Sequence, residues 1–172
     1  MPELPFPIDK DGVWIEILGQ PSLAPALYLD RDGVVVVETH YLHEVDKTQL
    51  IPGAGETIAL ANRRGLHVVL VTNQSGIGRG LYDWAAFIAV QEKIKVELGA
   101  QGAHLDAVCA CPHFPKSGEQ GGQSHRDRKP NPGMLLKAAK VLDIDLAHSW
   151  IVGDMHTDMA AGRNAGLTGG VH

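Results

Sequence analysis

The stretch PALYLDRDGVVVVE, residues 25–38, decides the fold because it holds a short apolar run that ends abruptly in two acids. The run ALYL (26–29) does not alternate between apolar and polar residues, which is typical of a strand covered on both faces. Asp30 and Asp32 follow it directly, with Gly33 behind them. The sequence therefore predicts a buried strand that delivers two carboxylates to one end of a sheet.

Further apolar runs of the same kind recur along the chain, with helical patterns between them. The candidate strands are HVVLV (67–71), WIVG (150–153) and, with a weaker pattern, LDAVCA (105–110). The predicted helices run from after Pro52 to about Arg64, from Asp83 to Gly99, from the cap Asn131 with Pro132 in the first turn, and from the end of GDMHTD (153–158). On the third helix the predicted buried face is Leu135, Leu136, Ala139 and Leu142. Strands that alternate with helices indicate an α/β fold with a doubly wound parallel sheet.

Residues 1–25 form an N-terminal extension in this interpretation, and residues 26–172 form one domain. The extension carries five prolines around one apolar piece, GVWIEIL (12–18). That piece is either an added edge strand or a packed arm. At the other end, GLTGGVH (166–172) lies where a further strand would begin.

Composition limits the location and the partners. The formal net charge is −5, which argues against a protein that wraps nucleic acid, and no apolar run approaches the length of a membrane span. Cys109 and Cys111 lie too close in the chain for an unstrained disulfide, which fits a reducing compartment. The N-terminus does not have the pattern of a secretory signal. We expect a soluble, cytoplasmic monomer with no nucleic acid or membrane partner.

Three predicted strands end in polar clusters: YLDRDG, VTNQSGIGRG and VGDMHTD. In an open parallel sheet, ligands bind beyond the carboxyl ends of the strands. We therefore expect five side chains to meet there: Asp30, Asp32, Thr72, Asn73 and Asp154. Each cluster alone is equally well explained as a turn, because Asp, Asn and Gly favour turns. Three clusters at one edge, together with the basic RKPNP (128–132), favour a common site.

Three acids in one place repel each other unless a cation compensates them. Mg²⁺ suits such a site because it prefers oxygen ligands and keeps waters while holding a substrate phosphate. Asp30 and Asp154 are the expected carboxylate ligands, and Asp32 can bind through its backbone carbonyl, which frees its carboxyl group for proton transfer. Thr72 and Lys129 would bind the phosphate oxygens. The pattern predicts phosphoryl transfer.

The chain resembles the haloacid dehalogenase superfamily over about residues 26–168. All four motifs of that superfamily are present in order: DRDGV (30–34), VTNQSG (71–76), RKP (128–130) and GDMHTD (153–158). The resemblance implies that Asp30 is a nucleophile that forms an aspartyl-phosphate, and that Asp32 protonates the leaving oxygen and then activates water. It also implies that Thr72 and Lys129 hold the transferring phosphoryl group and that Asp154 binds Mg²⁺. An aspartate at the second position of the first motif indicates a phosphatase.

Within the superfamily, LDRDGV, HYLHEVD, TNQSGIGRG, CPHFP and RKPNPGM are similar to the branch of D-glycero-D-manno-heptose 1,7-bisphosphate phosphatases and histidinol phosphatases. That branch has little or no cap domain, and the chain leaves no room for a sizeable one. The resemblance implies a small phosphorylated substrate, a sugar bisphosphate or else histidinol phosphate or another small phosphomonoester. Its implied substrate contacts are Arg31, Glu38, Tyr41, Asn73, Ser75, Gly76 and Arg128. Among these, Arg128 suits a second phosphate because its guanidinium offers a fork of donors.

Relatives in this branch often carry a structural zinc loop, of which this sequence keeps Cys111 and His113. His125 and Asp127 stand where the second pair of cysteines would be, so a zinc site of Cys111, His113, His125 and Asp127 is chemically possible. An unmetallated loop within residues 116–127 is the alternative. A non-catalytic metal- or phosphate-binding module is a further alternative, because DRDG resembles part of a calcium loop, but the later ligands of that loop are missing.

Overall fold

The computed structural model describes residues 7–116 and 124–172. These residues form one six-stranded sheet with the strand order β1-β4-β3-β2-β5-β6. The strands are β1 (Trp14–Ile17), β2 (Ala26–Leu29), β3 (His67–Asn73), β4 (Ala107–Cys111), β5 (Trp150–Val152) and β6 (Gly169–Val171). Neighbouring strands run parallel except β1, which pairs with β4 in the antiparallel sense. The predicted parallel α/β sheet is confirmed.

Helices cover both faces of the sheet, as expected for a doubly wound fold. They are α1 (Ala54–Arg63), α2 (Ser75–Gly78), α3 (Trp84–Ala100), α4 (Gly133–Leu142) and α5 (His156–Ala165). Successive residues of β3 point to opposite faces, so Val68 and Leu70 pack with α1 and α3, whereas Val69 and Val71 pack with α4 and α5. The absence of alternation in the sequence of β3 follows from this two-sided burial.

The helix predictions hold apart from details at their ends and on one face. Helix α3 extends to Ala100, one residue beyond Gly99. Helix α4 begins after Pro132, which caps it instead of lying in its first turn. Leu136 was predicted on the buried face of α4 but is 43 % exposed, because the sheet contacts the neighbouring stripe that includes Met134 and Ala138.

The N-terminal segment supplies an edge strand, the first of its two predicted alternatives. Strand β1 aligns Trp14 with Ala110 and Ile17 with Ala107 of β4. The final segment also pairs with the sheet as β6, beside β5. None of the described helices is long and apolar enough to cross a bilayer.

Two segments connect elements near the site: residues 30–53 between β2 and α1, and residues 74–106 between β3 and β4. Between β2 and α1 the only helical piece there is a 3₁₀ turn, Val45–Lys47, and between β3 and β4 lie α2 and α3. Neither described segment builds a cap domain, in agreement with the prediction. Most of the predicted loop at 116–127 lies outside the described residues; Asp127 at its end is fully buried.

Candidate active site

The carboxyl ends of β2, β3 and β5 open into a cavity of about 540 Å³. Sequence analysis predicted ten of its lining residues: Asp30, Asp32, Glu38, Tyr41, Thr72, Asn73, Ser75, Arg128, Lys129 and Asp154. The predicted residues Arg31 and Gly76 do not line it. The parallel sheet therefore brings the three polar clusters to one place.

Lys129 occupies the floor of this cavity and is almost completely buried. Its Nζ lies 2.9 Å from Asp30 Oδ1 and 2.6 Å from Asp158 Oδ1, and it donates to the Val71 carbonyl at 2.8 Å. Burial alone would lower the pKa of Lys129, but the charges of Asp30 and Asp158 outweigh burial and raise it. The lysine is thus a fixed positive charge beside Asp30.

Asp154 faces the same place, and no lysine of the described residues forms an ion pair with it. Carboxylate oxygens of Asp30, Asp154 and Asp158 lie within 4.8 Å of one another. Partial burial and the neighbouring Asp30 charge raise the pKa of Asp154. Gly33 has a positive φ of 85°, and a Cβ there would lie 2.2 Å from Asp154 Oδ2, so glycine provides both the turn and the space. This excess of hard oxygen donors over cations fits Mg²⁺.

Asp158 belongs to this cluster but was missed from the sequence. It lies four residues after Asp154, and it stands in the first turn of α5, where its Oδ2 accepts a hydrogen bond from the Met155 amide at 3.1 Å. The separation of one helical turn between two acids of the same motif was the available signal. Its role is to share Lys129 with Asp30.

Arg31 requires a correction, because it was predicted to contact substrate and is fully buried. Its guanidinium binds the Asp32 carboxylate, at 3.1 Å from Nε and 3.0 Å from Nη2 to Oδ1, and donates to the Leu42 carbonyl. The guanidinium also lies over the Phe87 ring of α3, 5.5 Å from its centroid. Arg31 therefore orients Asp32 from beneath the cavity.

The end of β3 contributes side chains that are tied to their neighbours. Thr72 is buried, and its Oγ1 accepts a hydrogen bond from Gln74 Nε2 at 2.8 Å. Asn73 lines the cavity, but its side chain makes hydrogen bonds with both the amide and the carbonyl of Lys129, each at 3.1 Å. Because its amide is engaged in this way, Asn73 positions Lys129. The substrate contact that sequence analysis predicted for Asn73 stays a prediction, since Asn73 also lines the cavity.

The remaining predicted contacts lie around the opening. Glu38, Tyr41 and Ser75 line the cavity, and Tyr41 has a left-handed backbone with φ of 53°. Gly76 lies behind the wall, where a Cβ would be 2.2 Å from the Tyr82 ring. Gly76 therefore makes room for the Tyr82 ring, which lines the cavity, and does not line the cavity itself.

Arg128 lies in the segment that precedes α4, and it lines the cavity on the side away from β5, the strand that precedes Asp154. One guanidinium nitrogen, Nη1, donates to the His113 carbonyl at 3.0 Å, and the Arg128 amide donates to the His125 carbonyl at 2.8 Å. Asn131 secures the same segment through the Ser124 and His125 carbonyls. The guanidinium thus has an anchored base and further donors for the cavity.

Three of the predicted zinc ligands, His113, His125 and Asp127, are neighbours, since the two histidine rings stack with centroids 3.9 Å apart and His125 Nδ1 lies 3.7 Å from Asp127 Oδ2. No three of the four predicted residues, Cys111 included, bring their ligand atoms together as a set. In residues 7–116 and 124–172, three or more potential ligands come together only at the Asp30 cluster and at Asp9, Asp11 and Asp127. His113 Nε2 is hydrogen-bonded to the Asp11 carbonyl at 2.7 Å, and Lys137 Nζ lies 2.6 Å from Asp127 Oδ2. The prediction of zinc therefore lacks support, because these groups already have other partners. Cys109 is a buried thiol in β4, and burial raises its pKa to about 12.

Comparison with known proteins gives consistent matches. A family model described as "HAD-hyrolase-like" matches residues 127–170. A D-glycero-beta-D-manno-heptose-1,7-bisphosphate 7-phosphatase of Mesorhizobium japonicum is 46% identical over 170 residues, which covers 96% of this chain and 78% of that protein.

Solved structures agree in fold as well as in sequence. A crystal structure of a Mesorhizobium loti protein has 46% identity and a TM-score of 0.86, with 95% of this chain and 80% of that chain covered. The D,D-heptose 1,7-bisphosphate phosphatase of B. bronchiseptica, complexed with magnesium and phosphate, has 38% identity and a TM-score of 0.74, with 83% and 77% covered.

Proposed function

The chain belongs to the haloacid dehalogenase-like hydrolases, and from this membership we propose that it removes the 7-phosphate of D-glycero-D-manno-heptose 1,7-bisphosphate. The substrate of its relatives supports this choice. The observation that carries the proposal is the convergence of Asp30, Asp154 and Asp158 around Lys129 at the cavity.

In the proposed first step, a carboxylate oxygen of Asp30 attacks the phosphorus atom. Lys129 holds Oδ1 of Asp30, so we assign the attack to Oδ2. As the new oxygen–phosphorus bond forms, the bond from phosphorus to the sugar oxygen breaks. Asp32, in its acid form, gives its proton to the departing oxygen. The product is a free sugar hydroxyl and an aspartyl-phosphate at Asp30.

In the second step, Asp32 takes a proton from a water molecule, whose oxygen attacks the same phosphorus. The bond between phosphorus and Asp30 breaks, and inorganic phosphate leaves. Lys129 and the Thr72 hydroxyl stabilise the phosphoryl oxygens in both steps, since both are fixed and buried before substrate binds. In the proposed mechanism, the burial of Lys129 and Thr72 therefore contributes to catalysis.

Asp30 and Asp154, with the backbone carbonyl of Asp32, are the groups that we propose hold Mg²⁺. When bound, the ion neutralises charge on the phosphoryl group and on the crowded acids. At the other side of the cavity, we propose that Arg128 recognises the second phosphate of the substrate, because among the described residues its guanidinium binds the His113 carbonyl alone, through Nη1.

The test is Mg²⁺-dependent phosphate release from a panel containing the heptose bisphosphate, histidinol phosphate and other small phosphomonoesters. We expect the heptose bisphosphate to have the highest kcat/KM, and Asp30→Asn to lower it by at least about a thousandfold, because the variant loses its nucleophile. Asp9→Asn is a matched control, since Asp9 lies outside the cavity. Undiminished turnover by Asp30→Asn would refute the mechanism, and preference for another ester would refute the substrate.

A further inference from the structure

Gln74 connects Thr72, the proposed ligand of the phosphoryl oxygens, with Asp32, the proposed proton donor. Sequence analysis gave Gln74 no role. It is buried, and its Nε2 donates to Thr72 Oγ1 at 2.8 Å and to Asp32 Oδ2 at 3.1 Å. We infer that Gln74 is a positioning residue for proton transfer by Asp32, and that Tyr82 fixes the orientation of Gln74. The inference rests on the proposed phosphatase function.

The orientation of the Gln74 amide is determined by its four neighbours. Both hydrogens on Nε2 are used by Thr72 and Asp32, while Oε1 accepts from the Tyr82 hydroxyl and, at 3.4 Å, from Arg31 Nη2. A flipped amide would place Oε1 against the Asp32 carboxylate and the NH₂ group against the Arg31 cation. Only one orientation therefore satisfies all of these partners.

The first consequence concerns the Thr72 hydroxyl, which has one hydrogen. Because Thr72 Oγ1 already accepts a hydrogen bond from Gln74, its own hydrogen is available to donate to a phosphoryl oxygen. Gln74 thus sets the direction in which the Thr72 hydroxyl donates its hydrogen.

The second consequence concerns the Asp32 carboxylate, which is held from two sides. Arg31 binds Oδ1 through Nε and Nη2, and its Nε also donates to Oδ2 at 3.2 Å, while Gln74 donates to Oδ2 from the β3 side. Arg31 and Gln74 together fix the plane of the carboxylate from two directions. Proton transfer requires a short distance and a defined direction to the leaving oxygen, so this plane matters for catalysis.

Tyr82 is itself held in place. Its ring stacks on His43 with centroids 5.1 Å apart and an angle of 6° between the planes. Gly76 leaves the space that the ring occupies, since a Cβ there would lie 2.2 Å from it. Burial raises the pKa of Tyr82 to about 12, so the hydroxyl keeps its proton and remains a donor to Gln74.

The test compares two leaving groups by kcat/KM, which covers the steps up to formation of the aspartyl-phosphate. A sugar phosphate needs a proton on its departing alkoxide, whereas p-nitrophenyl phosphate releases a stable anion that does not. Gln74→Met keeps the side-chain length and removes both donors. We expect it to lower kcat/KM on the order of a hundredfold for the sugar phosphate. For p-nitrophenyl phosphate we expect a loss of about tenfold or less, from the lost contact with Thr72.

Tyr82→Phe removes a single oxygen and serves where Gln74→Met does not fold, as judged by circular dichroism. We expect a loss of about fivefold on the sugar phosphate and a smaller loss on p-nitrophenyl phosphate. Equal losses on both substrates, or no loss, would overturn the inference, because a purely structural role does not depend on the leaving group. Asp30→Asn separates the two proposals: activity retained by that variant on both substrates overturns the proposed function itself.

Discussion

The described part of the chain contains two clusters in which a lysine lies among three aspartates, and they differ in one respect. In the cavity cluster, Lys129 binds Asp30 and Asp158 but not Asp154. In the arm cluster, Lys137 binds all three acids, which are Asp9, Asp11 and Asp127. Arg126 adds a second cation to Asp11 there. The same composition therefore leaves one carboxylate without a cation in the first cluster and none in the second.

The shifted pKa values have opposite directions in the two clusters. Burial and neighbouring acids raise the pKa of Asp154, and burial raises the pKa of Asp158 although Asp158 binds Lys129. In the arm cluster, burial opposes the shift at Asp9, but the hydrogen bonds from Lys137 and from the Val13 and Asp11 amides together outweigh it and lower the pKa; Arg126 lowers the pKa of Asp11. Acids with raised pKa values gain from an added cation, whereas acids with lowered values already have theirs. A count of acids is thus a poor guide to a metal site unless the fixed cations are counted too.

The largest expected effect comes from removing the lysine of the cavity cluster. Lys129→Met leaves Asp30 and Asp158 buried without their cation, so we expect about 3–5 kcal/mol less free energy of unfolding. We also expect kcat to fall by at least about a hundredfold, because a fixed charge on the phosphoryl group is lost. Urea unfolding and phosphate release measure the two effects, and Mg²⁺ should recover part of the stability. A variant that keeps more than a tenth of wild-type kcat contradicts the role of Lys129.

The matched substitution in the arm cluster should separate stability from activity. Lys137→Met leaves the fully buried Asp127 without its ammonium partner, and we expect a cost of about 1–3 kcal/mol, reduced by the partial exposure of Lys137. Its kcat on a monophosphate should stay within about threefold of wild type, since Lys137 does not line the cavity. Equal loss of kcat in Lys137→Met and Lys129→Met would mean that the two clusters are not functionally distinct.

A smaller effect is expected in the pH dependence of that stability difference. Asp9 and Asp11 have folded pKa values below 3.8, so their contribution is present above pH 3.8 and is lost as pH falls through the folded values. Burial alone would lower the pKa of Lys137, but its hydrogen bonds to the three acids outweigh burial and raise the pKa above 10.5. The contribution of Lys137 to stability is therefore lost only as pH rises beyond 10.5. The difference between wild type and Lys137→Met should therefore be constant near neutral pH and shrink below about pH 4. Urea unfolding at several pH values measures it; a difference that grows in acid would contradict this linkage.

Sequence reasoning predicted where the cavity lies, because a parallel sheet brings the ends of its strands together. Asp30, Thr72 and Asp154 each follow an apolar run, so their meeting was predictable from the fold class alone. The burial of Arg31 was not, since it depends on Phe87 arriving from α3 and on the Leu42 carbonyl. The position of Arg31 in its motif did not indicate whether its side chain points into the cavity or into the core.

The arm cluster was beyond sequence reasoning for a related reason. Lys137 of α4 pairs with Asp9, which is 128 positions away in the chain. The two residues meet because β1 joins the sheet beside β4 and packs on the face that α4 covers. Without that pairing, Cys111, His113, His125 and Asp127 read as four metal ligands. The link between Gln74 and Tyr82 also depends on a turn of chain between them, which no periodic pattern reveals.

The most direct test of the difference between the clusters is to locate a divalent ion crystallographically. Crystals grown with phosphate and soaked in Mn²⁺, which replaces Mg²⁺ and scatters anomalously, would be measured near the manganese absorption edge. We predict anomalous density beside Asp30 and Asp154 and none beside Asp9, Asp11 and Asp127. Density at the Lys137 cluster, or its absence between Asp30 and Asp154, would contradict it.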